Sequence, residues 1–235
     1  LTSCKRGIYH ATTTDALIEN VQGILEDKHK QSLAFIISSL QSIGYSIKYE
    51  LLNAVDYKIP QDRFRVFFVG IRNDLQNTFV FPNAMPGKKV TLREAIGDII
   101  EKPRFFNEER VMSEHSTRKN HDVYTGSYDA KYMARNRVRS WNEQSFTIQA
   151  QARNEPQHPQ APKMTYVNPN VRIFAKGYEH LYRRLSVREC ARIQTFPDSF
   201  VFFYTDIKDG YKMVGNAVPP RLAYALAVQV RKALL

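Results

Sequence analysis

The period of the apolar positions changes several times along the chain, and each change predicts an element. Asp15-Ala16-Leu17-Ile18 is a short apolar run ending in Glu19-Asn20, the pattern of a buried parallel strand whose tip carries polar groups. Over residues 29–43, Leu33, Ile36, Ile37, Leu40 and Ile43 recur at helical spacing and Gly44 offers a stop, which predicts a helix packed on a sheet. Residues 46–53 and 65–71 read as two further strands. In the second, Val66-Phe67-Phe68-Val69 is continuously apolar, as a central strand would be. Thr91 with Glu94 and Ser186 with Glu189 have the spacing of capping boxes, predicting helices over 92–100 and 187–195. A last helix over 219–235 would place Leu222, Leu226, Val230 and Leu234 on one face.

Between residues 103 and 182 the character changes. Arg, Asn, Gln, His and Pro accumulate and strong periodicity disappears, predicting a smaller, loop-rich module. The fold class is α/β, with boundaries at 1–102, 103–182 and 183–235.

Composition narrows the function classes. Hydrophobic residues make up 43% of the 235 and aromatics 12%, enough apolar surface for a core rather than a disordered chain. Lys and Arg number 34 against 23 Asp and Glu, a formal charge of +11, which favours a polyanionic partner held through phosphate contacts. Charge alone does not separate a nucleic-acid binder from a generic basic protein. Two cysteines, Cys4 and Cys190, make neither a disulfide framework nor a zinc site. With no signal peptide and no membrane span, a cytoplasmic protein with neither membrane nor metal partner is expected.

Four segments carry the chemistry, in this order: Ile18-Glu19-Asn20-Val21, Pro60-Gln61-Asp62-Arg63-Phe64-Arg65, the run from Arg183 to Gln194, and Gly215-Asn216-Ala217-Val218-Pro219-Pro220. Taken singly, Glu19 reads as a surface carboxylate, and Arg63 and Arg65 as alternate residues on one strand face. The last segment reads as a turn into a proline-started helix with the Asn216 amide free for a ligand. The order, with a long basic insert before the third segment, resembles the C-terminal part of DNA cytosine C5-methyltransferases. That resemblance implies a Rossmann-like, S-adenosylmethionine-dependent domain with a target-recognition domain. It makes Glu19 the carboxyl group at cytosine N3 and Arg65 its neighbour at the flipped base, with Arg63 and Gln61 in support. Asn216 and Val218 would help hold S-adenosylmethionine.

The insert sharpens the resemblance. Ala134-Arg135-Asn136-Arg137-Val138-Arg139-Ser140-Trp141, Phe146-Thr147-Ile148-Gln149-Ala150 and the stretch from Arg153 to Pro162 look like the recognition region of the HaeIII-type enzymes, which modify GGCC. Guanine presents two major-groove acceptors, N7 and O6, that an arginine fork can grip together. Arg135, Arg137 and Arg153 match the guanine-reading positions, whereas most arginines of a DNA-binding protein contact the backbone. Arg183 to Gln194 reads as mainly structural, with Arg183 or Arg184 meeting a phosphate.

The family's Phe-x-Gly-x-Gly turn and Pro-Cys nucleophile do not occur in these residues. Cys190 falls inside a predicted helix and Cys4 lacks the flanking residues. The expectation is therefore a truncated or split modification methyltransferase acting on double-stranded DNA, whose partner polypeptide, an N-terminal half-enzyme, brings the nucleophile. The alternative is a noncatalytic, sequence-specific DNA-binding remnant.

Overall fold

The computed structural model describes residues 13–106 and 118–235, so Cys4 lies outside the described residues. The chain divides into two units, one formed by residues up to 57, 64–85 and 222–235, the other by 58–63 and 86–221. In the first, β1 (Asp15–Val21) leads through a 3-10 turn to α1 (Lys30–Gln41), then β2 (Tyr45–Asn53) and β3 (Phe64–Arg72). Gly44 ends the helical segment at φ +91°, a conformation that costs a residue with a side chain more than glycine.

The helical crossover leaves β1 and β2 pointing the same way, but the two strands do not pair. The sheet order is β1-β3-β2, with β3 antiparallel to both neighbours. Glu19 is therefore not at the tip of a parallel strand: it lies within β1, paired with Phe67 of an antiparallel partner. Paired along both edges, β3 buries Val66, Phe67, Phe68 and Val69 almost completely. Val66 and Phe68 pack with Ile24 against Leu33, Ile36 and Ile37 of α1 and Ile18 of β1. Burial of side chains of this size contributes about 1.5–3 kcal/mol each.

The second unit has little regular structure. Both capping boxes form: Thr91 with Glu94 starts α2 (Leu92–Ile96), and further on Ser186 with Glu189 starts a helix over Val187–Ile193. Helix α2 stops before residue 100 because the chain turns at Gly97. The short parallel pair β4 (Arg104–Phe106) and β5 (Asp122–Tyr124), the one-turn helix α3 (Ala130–Met133) and the hairpin β6 (Thr165–Asn168) with β7 (Val171–Ile173) follow. The helix starting at Val187 is α4, and α5 (Ile207–Asn216) comes next. Helix α5 has no counterpart among the elements read from the sequence, since its ten residues include two glycines that dilute the apolar period. Its Ile207, Tyr211 and Val214 nevertheless complete a core with Leu92, Ile96, Ile148, Val187, Cys190 and Ile193.

Loops bury backbone carbonyls that need donors, and buried arginines supply them. Arg184, 1% exposed, donates to the carbonyls of Gly126, Ser127 and Arg153 and lies 4.1 Å over the Tyr128 ring. Arg183 grips the buried Glu189 through two hydrogen bonds of 2.7 Å. Neither guanidinium is presented to a phosphate, so the phosphate role read from the sequence for this pair is replaced by a structural one. Last in the chain is α6 (Pro220–Leu234), started by its proline, with Leu222 and Leu226 buried.

Burial pushes the Glu189 carboxyl up, but Arg183, assisted by His158 and His121, outweighs burial and holds it at about 2. Burial also pushes the His158 imidazole down to about 4, against the attraction of Glu189. Both groups bind protons more readily when unfolded. His158 therefore withdraws stability as pH falls from about 6.5 to 4, and Glu189 withdraws more from 4.5 towards 2, each on the order of 3 kcal/mol. The melting temperature is expected to fall across the upper window in the wild type and to fall less in His158→Asn. Equal slopes for the two proteins would refute the assignment to His158.

Candidate functional site

Glu19 and Arg65 come from neighbouring strands. Glu19 pairs with Phe67 and Arg65 with Val21, which makes the two charged residues diagonal neighbours on one sheet face. Arg65 Nε lies 2.8 Å from Glu19 Oε1, and Nη1 donates to the Phe64 carbonyl at 2.8 Å. Burial lowers the Arg65 pKa and Glu19 opposes that shift. The side chains keep 17% and 24% exposure, so a carboxyl group and a planar donor fork stand together within reach of a ligand.

Arg63 does not share this face. Strand β3 begins at Phe64, so Arg63 precedes the alternation, and its side chain is buried in the second unit. There Nη1 donates to Ile148 O at 3.2 Å, and Nη2 to Gly215 O at 3.0 Å and Ala217 O at 3.3 Å. Gln61 is likewise committed elsewhere, its Oε1 accepting from the Ile148 amide at 2.9 Å. Support for Arg65 from these two residues, read from the sequence pattern, is thus replaced by a grip on the 145–148 segment.

Asn216 ends α5, and Val218 lies in the two-residue stretch before Pro219 and Pro220. The carbonyls on both sides of Asn216 are held by Arg63. A Cβ at Gly215 would fall 2.1 Å from the Gln149 carbonyl oxygen, so only glycine permits this approach. The Asn216 side chain is exposed and makes no hydrogen bond among the described residues. The backbone is fixed while a donor and an acceptor stay open beside the half-buried Val218.

The third cluster is a cavity of about 160 Å³ lined by Arg135, Arg137, Phe146, Thr147, Gln149 and Asn154 among others. Arg135 is exposed, with no hydrogen bond among the described residues, and Arg153 is exposed nearby in sequence to Asn154. Arg137 differs. It is 8% exposed, donates to the Tyr132 and Lys131 carbonyls at 3.0 and 3.3 Å, and lies over the Tyr132 ring. Burial and the charge of Arg135 lower its pKa. Arg137 is thus not the wholly free fork expected of it: it lines the cavity while Nε and Nη2 hold backbone carbonyls.

Sequence reasoning missed Glu155. It is fully buried, its Oε1 accepts from the Gln149 amide at 2.9 Å, and burial pushes its pKa well up. A carboxylate between Asn154 and Pro156 carries no local signal of burial. Cys190 Sγ lies 3.7 Å from Glu155 Oε2, and burial pushes the thiol well up, which makes it a poor nucleophile. Among the described residues no cluster of His, Cys, Asp and Glu is suited to a metal ion, and no helix is long and apolar enough to cross a membrane.

The sequence profile of the C-5 cytosine-specific DNA methylases matches residues 4–232. The Type II methyltransferase M.MthTI of Methanothermobacter thermautotrophicus is 51% identical over 218 residues, covering 93% of this chain and 66% of that protein. M.FnuDI, a Type II methyltransferase of Fusobacterium nucleatum, is 44% identical and is matched over 64% of its length. The chain thus spans just under two thirds of these relatives. A solved structure described as a DNA modification methyltransferase from an E. coli prophage aligns with TM-score 0.66 at 19% identity, covering 98% of this chain and 72% of that one. The fold is accordingly the Rossmann-like α/β fold of such methyltransferases, here with antiparallel rather than parallel pairing in the described three-stranded sheet.

Proposed function

Since this chain belongs to the C-5 cytosine-specific DNA methylase family, we propose that it takes part in methylation of cytosine C5 in double-stranded DNA, at GGCC-like sites of a restriction-modification system. The observation that carries the reading is the Glu19–Arg65 pair, a carboxyl group and a guanidinium side by side and partly open. Cytosine C5 is a weak nucleophile until a thiolate adds at C6, and a carboxyl group at N3 stabilises the electron-rich ring that results. Glu19 fits that task, and Arg65 fixes the carboxyl group and offers donors to the base carbonyl. The thiolate is not that of Cys190, whose burial disfavours ionisation. A segment outside the described residues supplies it.

Bound S-adenosylmethionine supplies an electrophilic methyl group. The open amide of Asn216 and the apolar Val218, on a backbone held rigid from both sides, suit such a part-polar ligand. Exposed Arg135 and Arg153 read guanine, and the chain's positive charge offsets part of the few kcal/mol that base extrusion costs.

The test is transfer of labelled methyl groups to a GGCC duplex by this chain alone and by this chain with a polypeptide carrying the Phe-x-Gly-x-Gly and Pro-Cys segments. Transfer only in the mixture is expected. GGCC binding without transfer in either favours a noncatalytic DNA-binding role, and neither binding nor transfer refutes the proposal. Arg135→Ala is expected to lower the preference for guanine by about 1–3 kcal/mol, measured as the ratio of affinities for GGCC and substituted duplexes. An equal loss on every duplex would make Arg135 a phosphate contact.

A further inference from the structure

Arg63 grips two segments that serve different tasks in the proposed function. Its guanidinium, 1% exposed, donates at one end to Ile148 O and at the other to Gly215 O and Ala217 O. Ile148 lies between Thr147 and Gln149, which line the cavity beside Arg135. Gly215 and Ala217 flank Asn216. The two segments also touch directly, because the Gln149 carbonyl occupies the space a Gly215 side chain would need.

The recognition side is stitched to the same short stretch of chain. Asp62 N donates to Ser145 O, Ser145 N donates to Pro60 O, Thr147 Oγ1 donates to Asp62 O at 2.7 Å, and the Ile148 amide donates to Gln61 Oε1. Residues 60–63 therefore cannot shift against 145–148 without breaking several hydrogen bonds. Moving Ile148 moves the acceptor that orients Arg63, and with it the donor that holds both carbonyls around Asn216. A planar guanidinium with fixed donor directions passes such a shift on, whereas a flexible ammonium would absorb it.

We propose that Arg63 is a positioning residue that couples occupancy of the Arg135 cavity by target DNA to the geometry of the Gly215–Val218 turn, so that a read target sets the cofactor-holding turn. The proposal rests on the reading that this cavity takes DNA and this turn faces the cofactor. A coupling of this kind acts in both directions: a ligand that orders the turn must also tighten DNA binding.

Hydrogen–deuterium exchange of the amides of Gly215, Asn216, Ala217 and Val218, with and without a GGCC duplex, tests it without any need for catalysis. In the wild-type chain the duplex is expected to slow exchange there by about fivefold or more. In Arg63→Lys, and separately in Gln61→Met, which removes the acceptor of the Ile148 amide and leaves the buried guanidinium in place, the duplex still binds and the change at the turn shrinks or vanishes. Duplex binding with unchanged exchange at the turn in the wild type overturns the coupling while leaving the proposed function standing. A full duplex response in both variants overturns the role of Arg63. Absence of any preference for the GGCC duplex in the wild type refutes the functional reading itself, and the coupling with it.

Discussion

Replacing Glu19 by glutamine is expected to slow methyl transfer about 10²–10⁴-fold, with duplex affinity nearly unchanged. Glutamine keeps the length of the side chain and an oxygen that accepts from Arg65 Nε, so the 2.8 Å contact between β1 and β3 survives in neutral form. The variant loses a group that exchanges a proton with the base and carries its countercharge. Stability should hardly change, since ion pairs with access to solvent contribute about 0–1 kcal/mol. Single-turnover transfer in the reconstituted mixture, read beside duplex affinity and thermal melting, separates these effects. A rate equal to wild type would reduce the Glu19–Arg65 pair to a strand-to-strand salt bridge.

The largest effect on stability is expected from Arg188→Met. Arg188 is completely buried and donates to the carbonyls of Lys119, Pro197 and Phe200 and to the Asn120 side-chain oxygen, with the part-exposed Asp198 carboxylate a distant 3.8 Å from its Nη1. Asn120 in turn pairs with both the amide and the carbonyl of Phe202. Methionine fills part of the space and leaves these acceptors in a dry interior, where each orphaned group costs about 1–3 kcal/mol. A net loss of about 3–5 kcal/mol follows once some acceptors find water or new partners. In a chain of this size that lowers the melting temperature by roughly 10 °C or more. Arg192→Met is the contrast. Arg192 also pairs with two carboxylates, Asp98 and Asp198, but these are 63% and 42% exposed, and about 1 kcal/mol or less should be lost. Comparable losses for the two variants would contradict the view that buried carbonyls, not charge pairing, make Arg188 costly to remove.

Elements with a strong local period were legible in the sequence: α1, β2, β3, the final helix and both capping boxes all appear where hydrophobic spacing and cap residues put them. The direction of β3 between β1 and β2 was not legible, because strand pairing is decided by chain connections that leave no mark on local periodicity. The site divides in the same way. Glu19 and Arg65 are brought together as the family resemblance implied, whereas Arg63 is committed to backbone carbonyls and Arg137 partly so. An arginine in a polar loop looks the same in sequence whether its guanidinium will meet a phosphate, a guanine or a carbonyl; burial alone distinguishes these fates. Glu155 was missed for the same reason. Helix α5 was missed because Gly210 and Gly215, which weaken its helical signature, are needed where Tyr204 and Gln149 approach the backbone.

The grip of Arg63 also sets an order of events during synthesis. Its acceptors lie 85, 152 and 154 residues further along the chain. At about 5–20 residues per second on the ribosome, the last of them follows Arg63 by roughly 8–30 s. Through that interval the Arg63 guanidinium lacks the two carbonyls that flank Asn216. The strand pair bearing Glu19 and Arg65 needs no residue beyond Arg72. The strand pair with the proposed carboxyl group can thus form early in translation, whereas the turn meant for the methyl donor is assembled only as the C-terminus emerges.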